Sequence, residues 1–275
     1  MVNPRVMPTI QSLRNPKLQQ LIRLQRKKYR LQDGCFVVET ERELLRAIEC
    51  GLKPEYVVVT EQFQALQPAF CDQLPTDQVY EVAEHSLSRI AYRQNPTGIL
   101  AVFSTPPLPE WDETIGREPF LLAMVGLRVP GNIGALLRSA DALGVRGVLL
   151  IDSPLDLYNP NLIRNSTGAV FLQNIIPLAA EEAWVQLREH GFTLVAAAVD
   201  GEHSLFHGGL PAKVALLLGE EQAGLPDFWL QAADVTVRIP MNGRVVDSLN
   251  VATCGSLMMY EMMRRKNAKT KQVGG

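Results

Sequence analysis

Two hydrophobic patterns alternate along this chain. From Phe120 onward, short and nearly continuous apolar runs recur at Phe120 to Val125, Gly147 to Ile151, Thr193 to Ala198, Val214 to Leu218 and Val235 to Ile239. Between them lie stretches with apolar residues at helical spacing, such as Ile133 to Leu143, closed by Gly144, and a last one from about Leu249 to Arg264. Strands without polar alternation that take turns with helices predict a parallel sheet covered on both faces. Residues 1–104 predict a smaller α/β unit. Pro16 opens a basic helix through Leu31, and Cys35 to Val38 is a short strand. Glu41 to Cys50 is a helix with Leu44, Leu45 and Ile48 on one face and Gly51 as its stop, and Tyr56 to Val59 and Gly98 to Phe103 are further strands. Pro106, Pro107, Pro109 and Gly116 crowd the stretch between. The expected organisation is therefore an N-terminal domain over 1–104, a linker over 105–119, a second domain over 120–266 and a flexible tail over 267–275.

Composition narrows the class. A chain of 275 residues, 47% hydrophobic and 20% charged, is long enough for two domains with real cores. No stretch approaches eighteen consecutive apolar residues and the N-terminus lacks an apolar signal core, so neither a membrane span nor secretion is expected. Cys35, Cys50, Cys71 and Cys254 are scattered and form no C-x-x-C pair, which fits reduced thiols in a cytosol. His203 and His207 stand four apart without an evident third ligand, so no metal is expected.

The net charge of −2 conceals an asymmetry. Eight of the 27 Lys/Arg lie in residues 1–32, which hold no acid, and five lie in 261–275 beside Glu261 alone; the remainder carries 14 basic against 28 acidic residues. Basic ends on an acidic body are what local attraction to phosphate requires, although a solvated helix face and a loose tail would read the same.

Three segments carry candidate chemistry. Pro130-Gly131-Asn132-Ile133-Gly134 leads into a helix whose apolar face is Leu136, Leu137, Ala140 and Leu143, with Asn132 where an N-cap belongs and Arg138 off that face. A glycine-rich helix start with an arginine nearby suits an oxyanion; a capped helix with an exposed arginine is the plain alternative. Gly219-Glu220-Glu221-Gln222-Ala223-Gly224-Leu225 follows an apolar strand, and Ile239-Pro240-Met241-Asn242-Gly243-Arg244-Val245-Val246-Asp247-Ser248-Leu249-Asn250-Val251-Ala252 follows another. Ser248 is a candidate N-cap for the last helix, with Asn250 in its first turn, and the small Ala252, Thr253, Gly255 and Ser256 admit close backbone approach. Strand ends of this kind present backbone groups to a flat polar ligand at the carboxyl edge of a sheet.

In this order and at these distances the three segments resemble the SpoU-type branch of the knotted SPOUT superfamily. The N-x-G-x-x-x-R element is matched by Asn132, Gly134 and Arg138, and G-x-E-x-x-G-L by Gly219, Glu221, Gly224 and Leu225. The most specific match is I-P-M-x-G-x-x-x-x-S-L-N-V, from Ile239 to Val251. Tyr158-Asn159-Pro160 and Arg164 to Ala169 also resemble a family segment. One departure is Val129, where the family usually has an acid before the proline. Ser12, Asn15-Pro16-Lys17, the basic helix and Cys35 to Leu45 resemble the ribosomal-protein-like RNA-binding domain that precedes the catalytic domain in many members.

The resemblance implies an α/β fold with a deep trefoil knot in the C-terminal domain, a homodimer with the last helix in its interface, and S-adenosylmethionine as cofactor. It implies methylation of an RNA ribose 2′-hydroxyl, with large-subunit rRNA placed ahead of tRNA. By resemblance, Asn132, Arg138, Glu221, Ser248 and Asn250 are the catalytic set, and Leu218, Gly219, Ile239, Met241, Ser248 and Leu249 hold the cofactor. Arg23, Arg26, Lys27, Lys28, Arg30 and Arg164 are the candidate RNA contacts. A guanidinium does not give up its proton near neutrality, so Arg138 is expected to hold the 3′-phosphate and the developing alkoxide and not to act as a base. The rival from another class is an RNA-binding paralogue without catalysis, which the intact motif positions argue against; a nicotinamide enzyme would need the missing G-x-G-x-x-G.

Overall fold

The computed structural model describes residues 7–74, 77–172, 174–206, 211–245 and 248–273, with side chains as far as Arg265. The chain divides into two compact units, one made of residues 1–107 with 156–172, the other of 108–155 with 173–275.

The first unit is built on a mixed five-stranded sheet, β1 (Thr9–Ile10), β2 (Cys35–Val38), β3 (Pro54–Val59), β4 (Val79–Val82) and β5 (Ile99–Ser104), in the order β1-β4-β3-β5-β2. Its helices are α1 (Pro16–Leu24), α2 (Lys27–Asp33), α3 (Glu41–Glu49), α4 (Glu61–Leu66), α5 (Pro68–Asp72) and α6 (Glu84–Ile90). Asn15 caps α1 by accepting from the Lys17 N–H at 2.9 Å, and Pro16 takes the first helical position, where its missing donor costs nothing. Leu18, Leu21 and Leu24 of α1 then pack on Val58, Leu100 and Val102 of the central strands.

The basic stretch expected as one helix from Pro16 to Leu31 is two helices, α1 and α2, broken at Gln25 and Arg26. The break is held by Arg30, which is only 4% exposed: it donates to the Leu24 carbonyl at 2.6 Å and pairs with Asp156 at 2.7 Å. Arg30 is thus withdrawn from the expected RNA contacts, because its charge lies inside the unit and is spent on a buried carboxylate.

The second unit holds a seven-stranded sheet in which every described pairing is parallel. Its strands are β6 (Phe120–Val125), β7 (Gly147–Ile151), β8 (Asn174–Leu178), β9 (Thr193–Ala197), β10 (His203–Ser204), β11 (Val214–Leu218) and β12 (Val235–Arg238), ordered β10-β12-β9-β11-β6-β7-β8. The helices are α7 (Glu113–Arg117), α8 (Pro130–Ala142), α9 (Pro160–Asn165), α10 (Ala180–Glu189), α11 (Asp227–Ala232) and α12 (Val251–Val273), of which α9 belongs to the first unit. The continuous apolar runs are the central strands, buried on both faces as a parallel sheet demands. β8 did not read as a strand because it contains Pro177; it sits at the sheet edge, where a missing donor is tolerated.

Within the breaker-rich stretch 105–119, α7 is capped by Asp112, which accepts from the Ile115 N–H at 2.9 Å, and Ile115 is buried in the second core. The last helix continues past Arg264 to Val273, with Glu261 bridging Arg264 at 2.7 Å and Arg265 at 2.6 Å one turn on. Between β7 and β8 the chain leaves this unit. Asp156 meets Arg30, Tyr158 stacks on Phe36 at 4.5 Å, and Arg46 of α3 donates to Thr167.

Candidate active site

Because the strands of the second unit are parallel, β11, β6 and β12 end on one edge of the sheet, and the three motifs begin where they end. β11 runs into Gly219. A Cβ there would lie 2.2 Å from the Gly224 carbonyl carbon and oxygen, so only glycine lets the chain fold back at this point. The return is a tight turn: Glu220 donates its N–H to the Gly224 carbonyl at 3.1 Å, and Gly224, at φ +69°, donates back to Glu220 at 2.8 Å. Glu221 is thereby carried to an exposed tip, while Leu225 anchors the far side in the core.

β6 is followed by Gly126, Leu127, Arg128 and Val129, and α8 starts at Pro130. Asn132 is therefore not the N-cap expected from sequence. Proline takes the first helical position, and Asn132 falls in the first turn with its backbone bonded to Val129. Nor is Ser248 the cap of the last helix. α12 begins at Val251, and Asn250 caps it, its Oδ1 accepting from the Ala252 and Thr253 N–H groups at 3.0 and 3.3 Å.

That cap orients a network joining all three motifs. With its oxygen committed to the helix, the Asn250 side-chain nitrogen donates to Asn132 Oδ1 at 3.0 Å and to the Glu221 carboxylate. The Asn132 acceptor is thus filled and its NH₂ group is left to donate to a ligand. Asn250→Ala is expected to lower stability by about 1 kcal/mol, the usual worth of a cap. Asn250→Asp keeps the cap but cannot donate, so it should hold its Tm within about 2 °C while methyl transfer falls at least tenfold. Thermal melts beside activity assays check the pair, and equal losses of activity and stability in both variants would refute the network's role.

Arg138 lies outside this network. It is exposed on α8, six residues and about 9 Å of helix rise beyond Asn132, and no described residue lies within hydrogen-bond or ion-pair distance of it. Its neighbour Ser139 ties α8 to α12 through Ser256, Oγ to Oγ at 2.7 Å. Leu218 is buried at the end of β11, Ile239, Met241 and Leu249 are half-buried beyond β12 and before α12, and Ser248 is exposed. Cys254 follows Asn250 by one turn; burial pushes its thiol up, so it stays protonated at neutral pH and offers no nucleophile.

In the first unit Arg23, Arg26, Lys27 and Lys28 are exposed, as is Arg164; Arg23 bridges Asp33 at 3.0 Å and lies over the Tyr29 ring. Sequence reasoning missed Arg128, which pairs with Glu220 at 3.9 Å; the only available signal was a basic residue beside Val129. His207 lies outside the described residues. Among the described residues no group of three His, Cys, Asp or Glu is placed to hold a metal, and no helix is long and apolar enough to cross a membrane.

Residues 119–260 match the SpoU rRNA Methylase family, and residues 15–101 match the MRM3-like substrate binding domain. The chain belongs to the SpoU rRNA methylase family. The 23S rRNA (uridine(2479)-2′-O)-methyltransferase of Streptomyces viridochromogenes is 30% identical over 246 residues, 86% of this chain and 85% of its own. A crystal structure of an RNA 2′-O ribose methyltransferase shares 36% identity over 94% of this chain and 99% of that one, with a TM-score of 0.83. The AdoMet-bound rRNA methyltransferase from Sinorhizobium meliloti shares 29% identity over 94% and 98%, with a TM-score of 0.79. The SpoU methyltransferase AviRb from Streptomyces viridochromogenes, solved in complex with AdoMet, shares 29% identity over 92% of this chain and 98% of that one, with a TM-score of 0.78.

Proposed function

We propose that this protein transfers the methyl group of S-adenosylmethionine to a ribose 2′-hydroxyl of large-subunit rRNA. The observation that carries the reading is the Asn132–Asn250–Glu221 network, which ties the three family motifs together at one sheet edge. tRNA ranks second, because two relatives matched over most of the chain are named for 23S rRNA.

The residues present fit the cofactor. The Gly219 turn ends β11 at the sheet edge in a fold-back too tight for a side chain, and Ile239, Met241 and Leu249 add half-buried apolar surface for a flat ring. Leu218, Gly219, Ile239, Met241, Ser248 and Leu249 would hold it, and when bound it supplies an electrophilic methyl on sulfonium. Asn132 donates to a ribose oxygen, and Glu221 and Asn250 keep that amide in its orientation. Arg138 grips the 3′-phosphate and stabilises the developing alkoxide, the hydroxyl proton passing to that phosphate. Alignment of the three reacting atoms contributes several kcal/mol.

The exposed Arg23, Arg26, Lys27, Lys28 and Arg164 are assigned to RNA phosphate. A homodimer through α12, whose Leu257 and Tyr260 are exposed, a trefoil knot formed by the segments around Gly219 and α12, and a cytoplasmic location complete the proposal. The deciding experiment is methyl transfer from labelled S-adenosylmethionine to unmodified total RNA, followed by size fractionation and alkaline hydrolysis. Label in alkali-resistant dinucleotides from 23S-sized RNA is expected, since a 2′-O-methyl group blocks cleavage at the adjacent phosphodiester. Label confined to tRNA would reverse the substrate ranking, and absence of both label and cofactor binding would leave an RNA-binding paralogue.

A further inference from the structure

The carboxyl edge of the sheet holds a second feature, beside the candidate active site and unused by it. An open cleft of about 720 Å³ lies where β7 and β8 end, with Arg128, Asp152, Ser153 and Glu182 among its polar lining and Leu150 and Leu178 among its apolar walls. Resting on the rRNA methyltransferase reading above, we infer that this cleft takes a guanine base of the RNA substrate, from a nucleotide flanking the one that is methylated.

Position comes first. The sheet order β11-β6-β7-β8 sets the cleft two to three strands from Gly219, or about 10–15 Å at the usual strand spacing. That is too far for the reacting ribose and within reach of a neighbouring nucleotide. Arg128 connects the two places. Its side chain is 68% exposed and held only by the long 3.9 Å pair to Glu220, next to Glu221. A pair of that kind contributes little, so the guanidinium is free to turn to a ligand.

The chemistry then selects the base. Ser153 donates its hydroxyl to the Leu127 carbonyl at 2.5 Å and its oxygen accepts from the Leu155 N–H at 3.4 Å, so it has no donor left for the cleft and one lone pair to spare. Asp152 sits at φ +49°, and one carboxylate oxygen accepts from the Ala180 N–H at 3.2 Å, which fixes the side chain and leaves the other oxygen unclaimed. Glu182 is exposed on the first turn of α10, and no described residue pairs with it. The cleft therefore offers one forked donor and several acceptors. Guanine alone among the four bases presents two adjacent acceptors, O6 and N7, to an arginine fork and two adjacent donors, N1–H and N2–H, to a carboxylate. Uracil would turn its two carbonyls towards the acids, while adenine and cytosine each set a ring acceptor beside their single amino group. Leu150 and Leu178 supply apolar surface for the ring.

The test measures fluorescence anisotropy with labelled pentaribonucleotides UUGUU, UUAUU, UUUUU and an inosine version lacking the N2 amino group, at fixed salt. Wild type, Arg128→Ala and Glu182→Gln are compared, with S-adenosylmethionine binding and rRNA methyl transfer assayed in parallel. UUGUU should bind about tenfold tighter than the adenine and uracil pentamers, with inosine between them. Each substitution should shrink the preference to within about twofold. Equal binding of all pentamers by wild type overturns the inference, and with rRNA methylation intact it does so without touching the proposed activity. Uniform weakening of every pentamer by Arg128→Ala, with base preference kept, also overturns it, because Arg128 would then be a phosphate contact.

Discussion

Arg138→Ala is expected to lower kcat for RNA methyl transfer by about two to three orders of magnitude, with Tm unchanged within about 2 °C. The stability half follows from placement: Arg138 is exposed on α8, and no described residue is bonded to it, so its removal leaves nothing unpaired. The activity half follows from charge. A 2′-hydroxyl is a poor nucleophile, and negative charge grows on its oxygen and on the adjacent phosphate as it reacts. Losing one preorganised donor at such a point typically costs about a hundred- to a thousandfold in rate. Arg138→Lys discriminates further, since lysine keeps the charge but not the planar fork, and at least a tenfold loss is expected. Cofactor affinity by calorimetry should be unaffected in both. Near wild-type turnover by the lysine variant would show that no bidentate grip is needed, and near wild-type turnover by the alanine variant would return Arg138 to the role of a solvated helix residue.

The sheet of the second unit was the most legible part of the sequence. Phe120 to Val125, Gly147 to Ile151 and Val214 to Leu218 are strands at the expected bounds, because a strand buried on both faces leaves an uninterrupted apolar run. The first unit was read less fully. β4 spans only Val79–Val82, with two half-buried residues in its middle, too short a pattern to stand out. The two helix caps were misplaced for a common reason. Several residues near each start are able to cap, and the choice is made by tertiary partners: Pro130 brings α8 forward, while Asn250 is held by Asn132 and Glu221 and so begins α12 two residues late. Arg30 was misread on similar grounds. Among eight basic residues in 1–32 nothing local marks the one that turns inward, because Asp156, its partner, lies 126 positions along the chain. Long-range polar pairing leaves no periodicity to read.

The other large effect belongs to Gly219. A Cβ at this position would lie 2.2 Å from the Gly224 carbonyl carbon and oxygen and 2.4 Å from the Leu225 nitrogen, all backbone atoms that no rotamer change can move. Gly219→Ala can be accommodated only if the Glu220–Gly224 turn opens. That breaks two backbone hydrogen bonds, each worth about 1 kcal/mol net, and draws Leu225 away from the core it shares with Trp229. With the strain of overpacking added, the expected cost is about 3 kcal/mol or more, a fall in Tm of roughly 6–12 °C for a chain of this size. Glu221 moves with the turn, so Asn250 loses an acceptor, and cofactor binding should disappear with it. Gly255→Ala is the informative contrast. Its Cβ would sit 2.5 Å from Leu136 Cδ2 and Leu218 Cδ1, which are side-chain ends able to give way, and alanine returns about 1 kcal/mol of helix propensity. A clash with backbone should therefore cost more than a comparable clash with methyl groups. Calorimetry and thermal melts on the two variants check the order: a Gly219→Ala protein that still bound S-adenosylmethionine normally would remove the turn from the cofactor cradle, whereas loss of binding with Gly255→Ala still competent ties the site to the backbone geometry of this one residue.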